Sequence, residues 1–151
     1  MSIGKVCNRE VVVIERHESI LDAAKLMREH HVGNVVVVED RDGTRIPVGI
    51  LSDRDLVVEV LAQALSPDAV DVGDLMSTDL LTARENDELL DTIKRMTARG
   101  VRRVLVLDDS GALVGILALD DLIELIAEQL ADLVGLLGTE LRHEQERRSN
   151  G

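Results

Sequence analysis

The chain of 151 residues carries 17 Lys and Arg against 29 Asp and Glu, a formal charge of −12, and it contains no Phe, Tyr or Trp. Such a surface repels a phosphate backbone, which argues against nucleic acid and anionic membrane as partners. Hydrophobic residues make up 45%, enough for a core of Val, Leu, Ile, Met and Ala, yet no apolar run has the length that crosses a bilayer.

In chain order, Met1–Lys5 lacks the apolar stretch of a secretory leader. The single cysteine, Cys7, cannot close an internal disulfide, so the cytoplasm is the expected compartment. Val11–Ile14 reads as a short β-branched strand. Ile20, Ala23, Ala24, Met27 and His31 recur at spacings of three and four, which predicts a helix that stops near Gly33. Val35–Val38 and Val48–Leu51 predict two strands joined through a polar segment with an Asp42-Gly43 turn. Asp53–Leu65 predicts a second helix, and Ser66-Pro67 opens a short linker to Asp71. The series then starts again: a strand at Leu80–Ala83, a helix through Leu89, Ile93 and Met96 to Gly100, strands at Val104–Leu107 and Leu113–Leu117, and a helix from Leu119.

The two series are one unit written twice. Residues 3–40 superpose on 72–109, setting Leu21, Asp22, Lys25 and Met27 on Leu90, Asp91, Lys94 and Met96. Val48-Gly49-Ile50-Leu51 then meets Val114-Gly115-Ile116-Leu117, and the three-residue difference in offset falls in the polar segment Arg41–Pro47. A single βαββα unit has too little core to stand alone, so the expectation is one module of two packed copies. Its divisions are 3–65 for the first copy, 66–71 for the linker, 72–137 for the second copy with a lengthened helix, and 138–151 for a polar tail.

The second copy ends differently. Leu119, Leu122, Ile123, Ile126, Leu130, Leu133, Val134, Leu137 and Leu141 keep helical spacing well beyond the first copy's last helix. Gly135 and Gly138 weaken its final turns, and Arg142–Gly151 is expected to fray. This stripe either covers the module's own core or pairs with another subunit. The second reading is favoured, since a stripe of this length would otherwise stay exposed.

Each copy carries a Gly-hydrophobic-hydrophobic-Ser/Thr-x-x-Asp segment between its last strand and last helix. It stands complete as Gly49-Ile50-Leu51-Ser52-Asp53-Arg54-Asp55. In the second copy it reads Gly115-Ile116-Leu117-Ala118-Leu119-Asp120-Asp121, with Ala118 in place of the hydroxyl. Duplicated inside matching units, this pattern resembles CBS domains arranged as a Bateman module, over residues 3–134. The resemblance implies an α/β fold: tandem βαββα repeats packed with pseudo-twofold symmetry, two clefts between the copies, and assembly as a homodimer. It further implies an adenosyl ligand (AMP, ADP, ATP or S-adenosylmethionine), with no cofactor required and no catalysis.

Carried onto this chain, the first cleft joins Ser52, Arg54 and Asp55 to Leu81, Thr82, Arg102 and Arg103. The second and weaker one joins Asp121 and Ala118 to Lys5, Val12, Gly33 and Asn34. The chemistry is suitable on its own terms. A carboxylate accepts hydrogen bonds from both hydroxyls of a ribose, a helix start offers free N–H groups to phosphate, and arginine supplies forked donors. Against this, Ser52-x-x-Asp55 is equally a helix-capping pattern, and the two roles can coexist. Adjacent strand residues face opposite ways, so one arginine is expected to look into the cleft, and Arg103 is the choice. Arg54 is placed either to reach a phosphate or to pair with Asp53 or Glu59.

His17, His30, His31 and His143 are scattered, and no metal site is expected. Cys7 matches Met76 in the other copy, which fits packing rather than nucleophilic chemistry. The expectation is a regulatory adenine-nucleotide sensor acting on an unidentified partner protein, because no output domain is visible. The alternatives are an S-adenosylmethionine module and a constitutive scaffold with vestigial clefts.

Overall fold

The computed structural model describes all residues from Met1 to Gly151. The chain divides into two compact units, Met1–Leu117 and Ala118–Gly151. In the first unit, β1 (Val13–Glu15), α1 (Ile20–His30), β2 (Asn34–Arg41), β3 (Thr44–Ser52) and α2 (Asp53–Asp55) make the first copy. A short helix, α3 (Val72–Leu75), precedes β4 (Thr82–Arg84), α4 (Leu89–Arg99), β5 (Arg103–Leu107) and β6 (Leu113–Ala118) of the second copy. Each copy has a three-stranded sheet, ordered β1-β2-β3 and β4-β5-β6. β1 runs parallel to β2 and β4 parallel to β5, at matching registers: Val13 opposite Val36, Thr82 opposite Leu105.

The run Val35–Val38 is buried along its whole length, because β2 has a core on each side. Val35 and Val37 pack with Ile14, Ile20, Ala23 and Met27. Val36 and Val38 pack with Leu105 of the other copy, flanked by Val13, Ile50, Leu113 and Ile116. Period-two alternation thus sends one set of valines to the helix layer and the other to the seam between the sheets.

The copies are also exchanged at their leading segments. The Gly4 N–H donates to the Glu85 carbonyl at 2.9 Å, and its counterpart Gly73 donates to Arg16 at 2.7 Å. Asn8 and Ile116 exchange two backbone bonds of 2.9 Å, while Ser77 and Ile50 exchange bonds of 2.9 and 3.0 Å. Each copy therefore completes the edge of the other, and neither could close its own backbone hydrogen bonds alone.

The approach at these crossings is tight. A Cβ on Gly49 would sit 2.5 Å from Met76 Sδ, and one on Gly115 would sit 2.6 Å from Cys7 Sγ. The two motif glycines therefore leave the room that the crossing segments occupy, and Cys7 and Met76 have a packing role. Burial is the main reason the Cys7 thiol is held above its usual pKa.

Several elements depart from the sequence expectation. β1 and β4 begin two residues late, at Val13 and Thr82, while Val11 and Leu80 ahead of them pack against the seam. The first helix turns out through His31, which takes the left-handed conformation at φ 53°, and not at Gly33. Its counterpart Gly100 does the same at φ 64° without a Cβ to accommodate. The helix expected at 53–65 is one α-turn followed by wider π-type winding over Leu56–Leu61, with Ala62 N–H donating to the Val57 carbonyl at 2.8 Å. The shorter hairpin of the second copy is fastened by Asp108, whose carboxylate accepts from Ser110 and Ala112. Those bonds pull its pKa below the usual range, the Ser110 hydroxyl first.

The second unit is one helix, α5 (Leu119–Ser149). It runs through Gly135 and Gly138 and through the segment expected to fray. Arg147 and Arg148 stand in its last turn, where positive charge suits the helix dipole.

Candidate functional site

β3 ends at Ser52, and the chain turns at once into α2. The Ser52 hydroxyl accepts from the Asp55 N–H at 3.1 Å, and the Asp55 carboxylate accepts from the Ser52 N–H at 2.9 Å. This reciprocal cap fixes both side chains at the corner. It engages only Oδ2 of Asp55, so the capping role leaves the second carboxylate oxygen for other work.

The corner faces a cleft of about 310 Å³ lined by Ile50, Ser52 and Asp55 from the first copy and by Ser77, Asp79, Leu80, Leu81, Val101, Arg102 and Arg103 from the second. Ile50 and Ser77, which line it from opposite copies, are themselves a backbone-bonded pair, and Arg103 opens β5. Asp55 and Arg103, remote in sequence, therefore share one crevice. The apolar part of the lining is aliphatic, with Ile50, Leu80, Leu81 and Val101, as a chain without aromatic residues requires.

Both arginines line the cleft, not Arg103 alone. The alternation rule fails here because Arg102 lies in the bend before β5 and only Arg103 belongs to the strand. Thr82 and Arg54 stand outside the lining. Thr82 is paired in β4 with Leu105, and its carbonyl accepts from the Arg95 guanidinium. Arg54 is exposed on the first turn of α2.

Sequence reasoning missed Ser77 and Asp79. Asp79 holds an ion pair with Arg99 from the end of α4, so a second carboxylate stands at the cleft beside Asp55. The signal for these residues was the segment preceding β4, which matches Asn8–Val11 of the other copy.

That matching segment lines a second pocket of about 550 Å³, formed by Asn8, Glu10, Val11, Val12, Val13, Leu26, His30 and Val32. Five of its eight residues have counterparts in the first cleft, Asn8 in Ser77, Glu10 in Asp79, Val11 in Leu80, Val12 in Leu81 and Val32 in Val101. Val13, Leu26 and His30 match Thr82, Arg95 and Arg99, which do not line it. Gly33 and Asn34, at the positions of Arg102 and Arg103, lie outside the second pocket's lining, and no guanidinium is present there. Of the other residues expected there, Lys5 lies in the short turn Ile3–Lys5, while Ala118 and Asp121 belong to the second unit. There the Asp121 carboxylate accepts from the Ala118 N–H at 3.3 Å, and no side-chain oxygen answers it.

The family model for the CBS domain matches this chain twice, at residues 3–62 and 72–128. An uncharacterized protein of Methanopyrus kandleri is 37% identical over 124 residues, covering 82% of this chain and 62% of that protein. The CBS domain-containing protein YhcV of Bacillus subtilis is 33% identical, over 80% of this chain and 82% of its own. Among solved structures, Hypoxic Response Protein I with two coordinated zinc ions superposes at a TM-score of 0.69 with 30% identity, covering 82% of this chain and 98% of that one. A CBS domain pair in complex with 5′-methylthioadenosine and S-adenosyl-L-methionine superposes at 0.71 with 23% identity, covering 85% and 98%, and supports the fold alone. With two βαββα copies exchanged at their edges and both copies matched by one family model, the chain belongs to the CBS-domain family as a tandem CBS pair.

Proposed function

We propose that this CBS pair is a non-catalytic, cytoplasmic sensor of an adenine nucleotide (AMP, ADP or ATP) that works as a homodimer and regulates a partner protein. The observation that carries the reading is the single cleft shared by Asp55, Ser52, Arg102 and Arg103. The free oxygen of Asp55 suits the ribose hydroxyls, the two guanidiniums suit phosphate, and the aliphatic wall suits a purine. A ligand held by both copies would favour the arrangement in which its two half-sites are correctly spaced, and that bias is the signal.

S-adenosylmethionine is the second reading: Asp79, whose Oδ1 is paired with Arg99, brings a second carboxylate to the cleft, and a carboxylate suits a cationic ligand. A thermal-shift panel of AMP, ADP, ATP, S-adenosylmethionine and NADH separates the two. Ligand at one hundred times its Kd should stabilise the protein by about 2.7 kcal/mol. Stabilisation by a nucleotide and not by S-adenosylmethionine is the expected result. The reverse selects the second reading, and no shift with any ligand leaves a constitutive scaffold. Because the chain has no Trp or Tyr, an adenine absorption band in purified protein would reveal carried ligand directly.

A further inference from the structure

On α5, Ile123, Ile126, Leu130, Leu133 and Leu137 follow one another at alternating steps of three and four, and each is 54–61% exposed. Val134, Leu136 and Leu141 flank them, 60–63% exposed. This alternation is the 3.5-residue repeat of a helix that packs on another helix, with Ile123, Leu130 and Leu137 at one core position and Ile126 and Leu133 at the other. Side chains of this kind offer about 100 Å² apiece when fully covered. The seven that lie within Ile123–Leu137 present on the order of 700 Å² per copy, close to the share each partner contributes to an interface of standard size. A monomer rarely leaves so large an apolar patch in water.

The charges on this helix say what covers it. Glu124, Glu128 and Asp132 all fall on the side of the helix opposite the seam. The flanking core-edge positions are Ala127, Gln129, Val134 and Leu136, none of them charged. Two copies of a chain with charge −12 can therefore meet along this line without setting carboxylate against carboxylate. Glu140 takes the next core position and ends the seam at Leu137, so the contact has a defined length of about 21 Å. A matching seam must have the same pitch and layer spacing, which a second copy of α5 supplies by construction.

We infer that α5 is a self-association helix whose Ile123–Leu137 seam packs against the same seam of a second copy. This gives the homodimer of the proposed function a definite contact and stands apart from the nucleotide reading.

Light scattering on the full chain tests it, with the charge-introducing variant Ile126→Glu/Leu130→Glu/Leu133→Glu beside it and Glu124→Gln/Glu128→Gln as the far-face control. The wild type and the control are expected at twice the 16.5 kDa chain mass or more, and the seam variant at the single-chain mass. Circular dichroism melting checks that the variant retains a cooperative transition; if it does not, Leu133→Glu alone is read at falling protein concentration, where a dissociation constant raised at least tenfold is expected. A wild type that is monomeric overturns both the homodimer and this contact. A seam variant that keeps the wild-type mass, or a control that loses it, overturns the contact alone and leaves a dimer seated elsewhere.

Discussion

The two pockets of the first unit share five matching wall positions, from Asn8 and Ser77 to Val32 and Val101, and differ in the rest. One is lined by Arg102 and Arg103; in the other copy those positions are Gly33 and Asn34, which do not line the second pocket. The helix corners differ in the same sense. Ser52 and Asp55 close theirs with two hydrogen bonds of 3.1 and 2.9 Å, and Ala118 and Asp121 manage one of 3.3 Å. Duplication kept what the fold needs, namely the exchanged edges, the motif glycines and the alternating valines. The arginines and the capping hydroxyl stand on one side only. The scaffold is symmetric, and the expected ligand chemistry is not.

Substitution of the two motif aspartates should break that comparison most strongly. Asp55→Ala is expected to weaken nucleotide binding by more than about 100-fold, through lost charge-assisted hydrogen bonds to the ribose. Asp121→Ala should change it by a few-fold, and titration calorimetry reads both. Equal losses would mean that the missing hydroxyl and arginines do not rank the sites.

The motif glycines offer a purely structural version. Gly115→Ala would push a methyl toward the backbone oxygen of Asn8, 3.1 Å away, as well as toward Cys7. Gly49→Ala meets only the Met76 side chain among its nearest neighbours. Urea unfolding should show a loss of about 3 kcal/mol for the first and about 1 kcal/mol for the second, where the flexible thioether can move aside. A Gly49→Ala cost as large as that of Gly115→Ala would show that Met76 is held as firmly as backbone.

Ser52→Ala turns the first corner into a copy of the second and should cost about 1 kcal/mol of stability, the value of a lost helix cap. An effect of similar size and opposite sign is expected in α4. Thr92 is fully buried with an unpartnered hydroxyl where the first copy has Ala23. Thr92→Val, which keeps the shape and removes that oxygen, should raise stability by about 1 kcal/mol. A destabilised variant would mean that the hydroxyl has a partner in solution.

The duplication, the strand pattern and the helix corner were legible because each rests on side-chain type at a fixed spacing. Ser52 and Asp55 could be named from the motif, and Arg103 from its place at the start of a strand. The exchange of leading segments was not legible, because it is made by backbone groups: Gly4 to Glu85 and Gly73 to Arg16 leave no side-chain signature beyond the two glycines. Asp79 escaped for a related reason. It enters the cleft only through the crossing of Ser77 onto Ile50, and that crossing cannot be seen in a linear reading. His31 was hidden by Gly33, a better left-handed residue two positions too late. The helical course of 138–149 was missed because glycine was weighed against the helix at about 1 kcal/mol per residue. The unbroken backbone ladder through both glycines outweighs that penalty.

The pairing of a carboxylate from one copy with a guanidinium from the other is tested most directly by titrating AMP and adenosine into the wild type and Arg103→Ala. If the cleft holds a sugar-phosphate as described, AMP affinity should fall at least about tenfold in the variant while adenosine affinity stays within twofold or so of the wild type. Equal loss of both ligands, or an AMP affinity that ignores the substitution, would contradict it.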